Sequence, residues 1–149
     1  MAVPGTATFE RLFREIASLD VDKSDLKRYQ DFVRDKVADL LVIGEAHAKA
    51  DQRDVVELRD LPITKGLQET IHDFREVSLA ADTVRLLRDI VTVPQMDLSI
   101  ADETDAALPE LAGALTLALG RTFRILDPTL ENPATDAWER AFRVFDLLL

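Results

Sequence analysis

Along most of this chain apolar residues recur at spacings of three and four, the period of a helix with one buried face. A short first helix is predicted over residues 8 to 18, where Phe9, Leu12, Phe13 and Ile16 share a face. The turn Leu19-Asp-Val-Asp-Lys-Ser24 follows, and Ser24 is the predicted N-cap of a long second helix. Leu26, Tyr29, Val33, Val37, Leu40, Leu41, Gly44 and Ala48 then form a stripe along roughly seven turns. A third helix is expected to open with Asp60 as cap and Pro62 in its first turn, where a missing N–H costs nothing. It carries Ile63, Leu67, Ile71 and Phe74 inward.

The order short, long, short then repeats with different loops. Val84, Leu87, Ile90 and Val91 mark a short helix that stops before Pro94. Ser99 and Asp102 have capping-box spacing ahead of a second long stripe, Leu108, Leu111, Leu115, Ala118, Leu119, Thr122 and Leu126. Pro109 is expected either in the first turn of that helix or at a kink. Asp127-Pro128 ends it, Asn132-Pro133 is predicted to start the next, and Trp138, Phe142, Phe145, Leu148 and Leu149 give the last helix a bulky apolar face. No Gly/Ser-rich linker divides the halves, so residues 1–149 are read as a single all-α domain, with halves at about 8–76 and 80–149 sharing one core.

The joint between the second and third helices carries most information. Arg53-Asp-Val-Val-Glu-Leu-Arg-Asp60 places two β-branched residues between an arginine and an aspartate seven positions apart. That suits a short extended strand held by an Arg53–Asp60 clamp. Nothing in it suggests catalysis.

Helix, strand-like loop, long helix, strand-like loop, helix is the layout of the histone fold, which each half resembles. Arg53 and Asp60 match the arginine and aspartate that clamp the second loop in archaeal histones, with Val55-Val56 at the paired strand positions. Two such units in one chain resemble a histone pseudodimer, implying two halves that pack as two subunits would. More narrowly, the runs Leu19-Asp-Val-Asp-Lys-Ser-Asp-Leu-Lys-Arg-Tyr29, Asp60-Leu-Pro-Ile-Thr-Lys-Gly-Leu-Gln-Glu69 and Trp138-Glu-Arg-Ala-Phe-Arg-Val-Phe-Asp146 resemble DUF1931, a bacterial family of uncharacterised proteins. That resemblance covers nearly the whole chain and implies a fold without an activity. A physical reason for doubling stands beside it: a long amphipathic helix between two short ones leaves an apolar face that a partner must cover. Fusion makes the cover intramolecular.

Charge changes the functional picture. The chain holds 18 basic and 28 acidic residues, a net of −10, against the surplus of cations that phosphate neutralisation requires. All five lysines, at 23, 27, 36, 49 and 65, lie in the first half, while the second has only Arg85, Arg88, Arg121, Arg124, Arg140 and Arg143. The resemblance implies phosphate contacts where the loops meet and at the start of the first helix, and Arg11 and Arg53 stand at matching positions. Asp20, however, occupies the arginine position of the first loop, and Asp54 and Val55 replace the lysine and threonine after the loop arginine. The corresponding second-half loops, Pro94-Gln-Met-Asp-Leu-Ser99 and Asp127-Pro-Thr-Leu-Glu-Asn132, contain no basic residue. The candidate DNA-binding set is therefore Arg11, Lys23, Lys27, Arg28, Lys49 and Arg53, many with local acidic neighbours at Asp22, Asp25, Asp31 or Asp51. Val21 is expected to meet Val55-Val56, and the charge around that point separates a DNA ligand from a protein one.

The absence of cysteine excludes disulfides and thiolate chemistry and fits a cytoplasmic location. Met1-Ala-Val-Pro-Gly-Thr6 lacks the basic and apolar stretches of an export signal, and no apolar run approaches the roughly 20 residues of a membrane helix. Asp20, Asp22, Ser24 and Asp31 fall at positions one, three, five and twelve of a calcium loop, but the required glycine at position six is Asp25. His47 with Asp51 and Glu69 with His72 give two ligands each and no third. Gly66, Gly113 and Gly120 form no phosphate-cradling cluster, and close helix crossing accounts for them better. The expected function is accordingly non-enzymatic, with no metal, cofactor, membrane or small-molecule substrate. The chain is read as a protein-interaction or self-assembling module, with weak DNA binding through the first half as the alternative.

Overall fold

A computed structural model describes residues 5–149; Met1–Pro4, part of the segment read as lacking an export signal, lie outside the described residues. Six helices follow in order: α1 (Thr6–Ala17), α2 (Lys23–Ala50), α3 (Lys65–Arg75), α4 (Ala81–Ile90), α5 (Asp102–Leu126) and α6 (Thr135–Leu148). Two strands of two residues each, β1 (Val55–Val56) and β2 (Ser99–Ile100), pair in parallel, Val55 with Ser99 and Val56 with Ile100. The lengths run 12, 28 and 11 residues, then 10, 25 and 14, so the order short, long, short does occur twice.

Periodicity located the helices; the caps differ. Asp22, not Ser24, caps α2, accepting the Ser24 N–H at 2.8 Å while Asp25 reaches back to the Asp22 N–H at 3.1 Å. An Asp two residues earlier closes a reciprocal box that Ser24 would have to forgo. Asp60 does not open α3: it ends a 3₁₀ turn over Leu58–Asp60, and Thr64 caps the helix, accepting the Leu67 N–H at 3.2 Å. Pro62 thus precedes α3. Ser99 lies in β2, and Ala101 stands at the N-cap of α5 without a side-chain bond. Asn132-Pro133 falls short of α6, whose N-cap is Ala134. Pro109 sits inside α5, beyond its first turn, and the helix continues through it.

One cluster of buried side chains joins all six helices. Phe9, Phe13 and Tyr29 pack ring to ring at 5.0–5.3 Å, and Trp138 of the last helix reaches Phe13 at 5.9 Å and Phe123 at 4.9 Å. First-half and second-half aromatics therefore occupy the same core. Packing against all five other helices explains why α5 hides twelve of its residues, among them Ala112, Gly113, Ala114, Leu115 and Thr116 in succession. Close crossing needs small residues at two points: a Cβ on Gly113 would stand 2.1 Å from the Phe74 ring, and one on Gly120 2.8 Å from the Ala17 Cβ. Gly66 differs, with open space above it. No helix among the described residues is long and apolar enough to cross a membrane.

Candidate functional site: the two loop junctions

The chain brings its loops together at two places, and the pairing crosses the halves. After α2, Gln52 turns the backbone into the left-handed region (φ 60°) and Arg53 donates its N–H to the Ala48 carbonyl at 2.9 Å, aiming Val55–Val56 at β2. The Val56 carbonyl then accepts both the Ala101 N–H and the Thr104 hydroxyl at 3.0 Å, tying the start of α5 to the first half. At the other junction the Asp20 N–H donates to the Glu131 carbonyl at 2.7 Å. Val21 therefore does not meet Val55-Val56 as expected; each strand-like loop finds its partner in the opposite half.

The Arg53–Asp60 clamp forms. The two guanidinium nitrogens grip both carboxylate oxygens, one at 2.7 Å and the other closer, while Asp60 also accepts the Glu57 N–H at 2.8 Å. Asp51 at 3.0 Å and Glu57 at 3.2 Å complete the ring of acids around Arg53. Hydrogen bonds from Arg53 pull the Asp60 pKa down to about 2, and the same contacts push that of Arg53 up. With Asp60 only 4% exposed, this is a structural pair, and Arg53 has little left to offer a phosphate. His47 joins the clamp through Nδ1, 2.7 Å from the Asp60 carbonyl oxygen.

The remaining candidates are dispersed and mostly occupied. Arg11 pairs with Asp82 of α4, and Lys49 with Asp97 at 2.7 Å and Glu45 at 3.8 Å. Lys27 pairs with Asp31 at 2.7 Å; Arg28 lies 3.7 Å from Asp25, bonds the Thr135 hydroxyl and covers the Trp138 ring at 6.0 Å. Lys23 is exposed at the opposite end of α2 from Lys49, about 39 Å away along a straight helix. The six residues do not converge on one surface.

One residue escaped the sequence reading. Arg124 in the last turn of α5 donates to four carbonyls: Ala17 at 2.8 Å, Ser18 at 2.6 Å, Leu130 at 2.6 Å and Pro128 at 3.3 Å. It is the second junction's counterpart of Arg53, clamping the end of α1 to the loop after α5 through backbone instead of an acid. Its only local signal is a cation in a helix's last turn.

The calcium-loop residues hold structural posts: Asp22 caps α2 and Asp31 pairs with Lys27 and Arg34. Among the described residues no group of three or more His, Asp and Glu is placed to hold a metal ion. A cleft of about 980 Å³ lies between α3 and the first half of α5. Four of the charges lining it pair, Arg59 with Glu57 at 2.5 Å and Arg75 with Glu110 at 2.8 Å, and His72 and Glu103 line it as well.

Residues 9–146 match a family described as a domain of unknown function, DUF1931. The chain belongs to the DUF1931 family. A crystal structure of a protein from Thermus thermophilus is 51% identical and superposes with a TM-score of 0.86, covering 96% of this chain and 97% of that one. Protein AQ328 from Aquifex aeolicus has the same fold at 20% identity, with a TM-score of 0.86 over 100% of this chain and 99% of its own. An uncharacterised protein of Aquifex aeolicus strain VF5 is 24% identical over 113 residues, 76% of this chain and 66% of that relative. DUF1931 thus extends over both junctions and all six helices of this chain.

Proposed function

We propose that this DUF1931 protein is a single-chain histone-fold pseudodimer that works as a protein-interaction and assembly module instead of gripping nucleic acid. Support for the fold reading comes from the repeated short, long, short helix order and from loops that pair across the halves. The functional reading rests on one observation. At the β1–β2 junction, where a histone-type unit would present cations to phosphate, Arg53 is ringed by Asp60, Asp51 and Glu57 and Lys49 by Asp97 and Glu45. A phosphate would have to displace these carboxylates against a net charge of −10. At the opposite junction Asp20, Asp22 and Glu131 stand beside Arg14, which lies 3.8 Å from Asp20, and the exposed Lys23, with Arg124 committed to carbonyls. We assign no catalytic role; in the cleft beside α3, Arg59 pairs with Glu57 and Arg75 with Glu110.

Fluorescence anisotropy of a labelled duplex of about 30 base pairs, titrated with the protein at about 50 and about 150 mM salt, tests this directly. No saturable binding is expected at either concentration. Sub-micromolar affinity that weakens steeply with salt would overturn the reading.

A further inference from the structure

The cleft beside α3 has three sides of different chemistry. The α3 side presents Gln68, Ile71, His72 and Arg75, which share one helical face and include no acid. The α5 side presents Glu103, Ala107, Glu110 and Leu111, again one face, and includes no base. The segment from Glu57 to Ile63 forms the third side, where Glu57 and Arg59 neutralise each other and Leu58 and Leu61 add to the apolar lining. A single bridge is drawn between the two helical sides, from Arg75 Nη2 to Glu110 at 2.8 Å. Away from it they are unmatched: the side chains of Gln68 and His72 on α3 and of Glu103 on α5 have no hydrogen bond or ion pair among the described residues. The hollow is therefore polarised, rich in donors along one helix and acidic along the other.

That polarity selects the ligand. A simple anion would meet three glutamates against two arginines, and a simple cation would leave the donors of the α3 side without an acceptor. An uncharged apolar body would strip water from Glu103 and offer it nothing in return. A molecule with an ammonium at one end, a carboxylate at the other and an apolar middle matches all three sides. Spacing sets its length. Glu103 and Glu110 lie seven residues apart on α5, about 10 Å along the axis, and Arg75 stands at Glu110. An extended peptide advances roughly 3.3–3.6 Å per residue, so about three residues cover that distance. The volume of about 980 Å³, at the upper end of the roughly 300–1,000 Å³ of small-molecule sites, suits a ligand of that size better than a single amino acid.

We propose that this cleft binds short peptides with free ends, about three residues long, the amino terminus pairing with Glu103, the carboxylate with Arg75 and His72, and the middle side chain lying on Leu58, Leu61, Ile71 and Leu111. Only one nitrogen of Arg75 is engaged by Glu110, so the guanidinium keeps donors for the incoming carboxylate without breaking the bridge. The site goes beyond the interaction and assembly reading and does not rest on it.

Isothermal titration calorimetry of the full chain with alanyl-leucyl-alanine tests the proposal. Saturable one-to-one binding is expected, and acetylating the amino end or amidating the carboxyl end should each weaken it by about tenfold or more. Free leucine, too short to reach both ends, should bind more weakly by at least as much. Glu103→Gln should bring the free tripeptide down to the affinity of the acetylated one and leave the latter unchanged; His72→Ala should narrow the gap between free and amidated forms without altering that between free and acetylated. Both residues are exposed, so neither variant should shift the melting temperature of the unliganded protein. No heat up to millimolar tripeptide would overturn the proposal, as would equal affinity for free and blocked forms or a Glu103→Gln protein that still discriminates against acetylation. Affinity that rises on amidation would overturn it too, marking the cleft as a plain cation site. None of these results bears on the duplex titration, so the site and the reading against DNA fail separately.

Discussion

Tyr29 shows how much a single buried polar group settles. Its hydroxyl lies 2.8 Å from the Thr116 Oγ1, and Thr116 itself donates to the Ala112 carbonyl at 2.8 Å, so the proton between the two hydroxyls must come from tyrosine. Burial pushes the phenol's pKa up and keeps it in that donor role, the bond to Thr116 opposing only in part. The asymmetry has a measurable result. Tyr29→Phe removes a donor whose acceptor keeps a second bond, and is expected to cost about 1 kcal/mol; Thr116→Val strands the tyrosine hydroxyl and should cost about 1–3 kcal/mol. Urea denaturation of both variants checks the order, and a larger loss for Tyr29→Phe would mean the donor has been assigned the wrong way round. Gly113→Ala is a packing counterpart. Its Cβ would fall 2.1 Å from a Phe74 ring held between α3 and α5, so overpacking of about 1–3 kcal/mol should outweigh the roughly 1 kcal/mol that alanine gains in a helix. A net loss of stability by the same assay is the expected outcome.

At the scale of elements, the Arg53–Asp60 clamp decides how α2, β1 and the 3₁₀ turn before α3 are joined, and it leaves a pH signature. The Asp60 carboxyl titrates near 2 when folded and near 3.9 in an unfolded chain. Its contribution to stability is therefore complete above about pH 4 to 5 and disappears as pH falls through 2. Asp25 acts in the opposite sense: burial raises its pKa, so its charged form is the costly one and protonation on acidification favours the fold. Asp60→Asn should consequently flatten the acid limb of a stability profile between about pH 2 and 5, whereas Asp25→Asn should steepen it. Denaturant midpoints measured across that range give the answer; parallel limbs for wild type and Asp60→Asn would remove the clamp from the account. This clamp was legible in the sequence because both partners lie within one loop. The caps were harder, since Asp20-Val-Asp-Lys-Ser-Asp25 offers several residues able to cap α2 and only the side chain that reaches the backbone decides. Which strand meets Val55–Val56 lay beyond local pattern altogether. Val21 and Ile100 are both β-branched residues in short loops, and only the folding of one half onto the other selects the second.

The whole molecule depends on that mutual cover. Trp138 of α6 packs against Phe13 of α1 and Phe123 of α5, Phe32 of α2 stacks on Phe142 at 4.7 Å, and Phe74 of α3 fills the space left by Gly113 of α5. Aromatic residues of both halves thus pack into one buried cluster. Cutting the chain in the loop between α3 and α4, after Ser78, should give two fragments of about half size, each exposing a long apolar stripe. Alone, each is expected to show partial helix by circular dichroism, without a cooperative thermal transition as a monomer. Mixed in equal amounts they should recover the helical signal and a cooperative melt that shifts to higher temperature with concentration, because the intact chain supplies by its linkage the effective concentration that the fragments must supply in bulk. Two separate bundles that happened to be neighbours would behave otherwise: at least one fragment would melt cooperatively by itself, and mixing would change nothing. The experiment therefore asks whether either half forms a stable fold without the other.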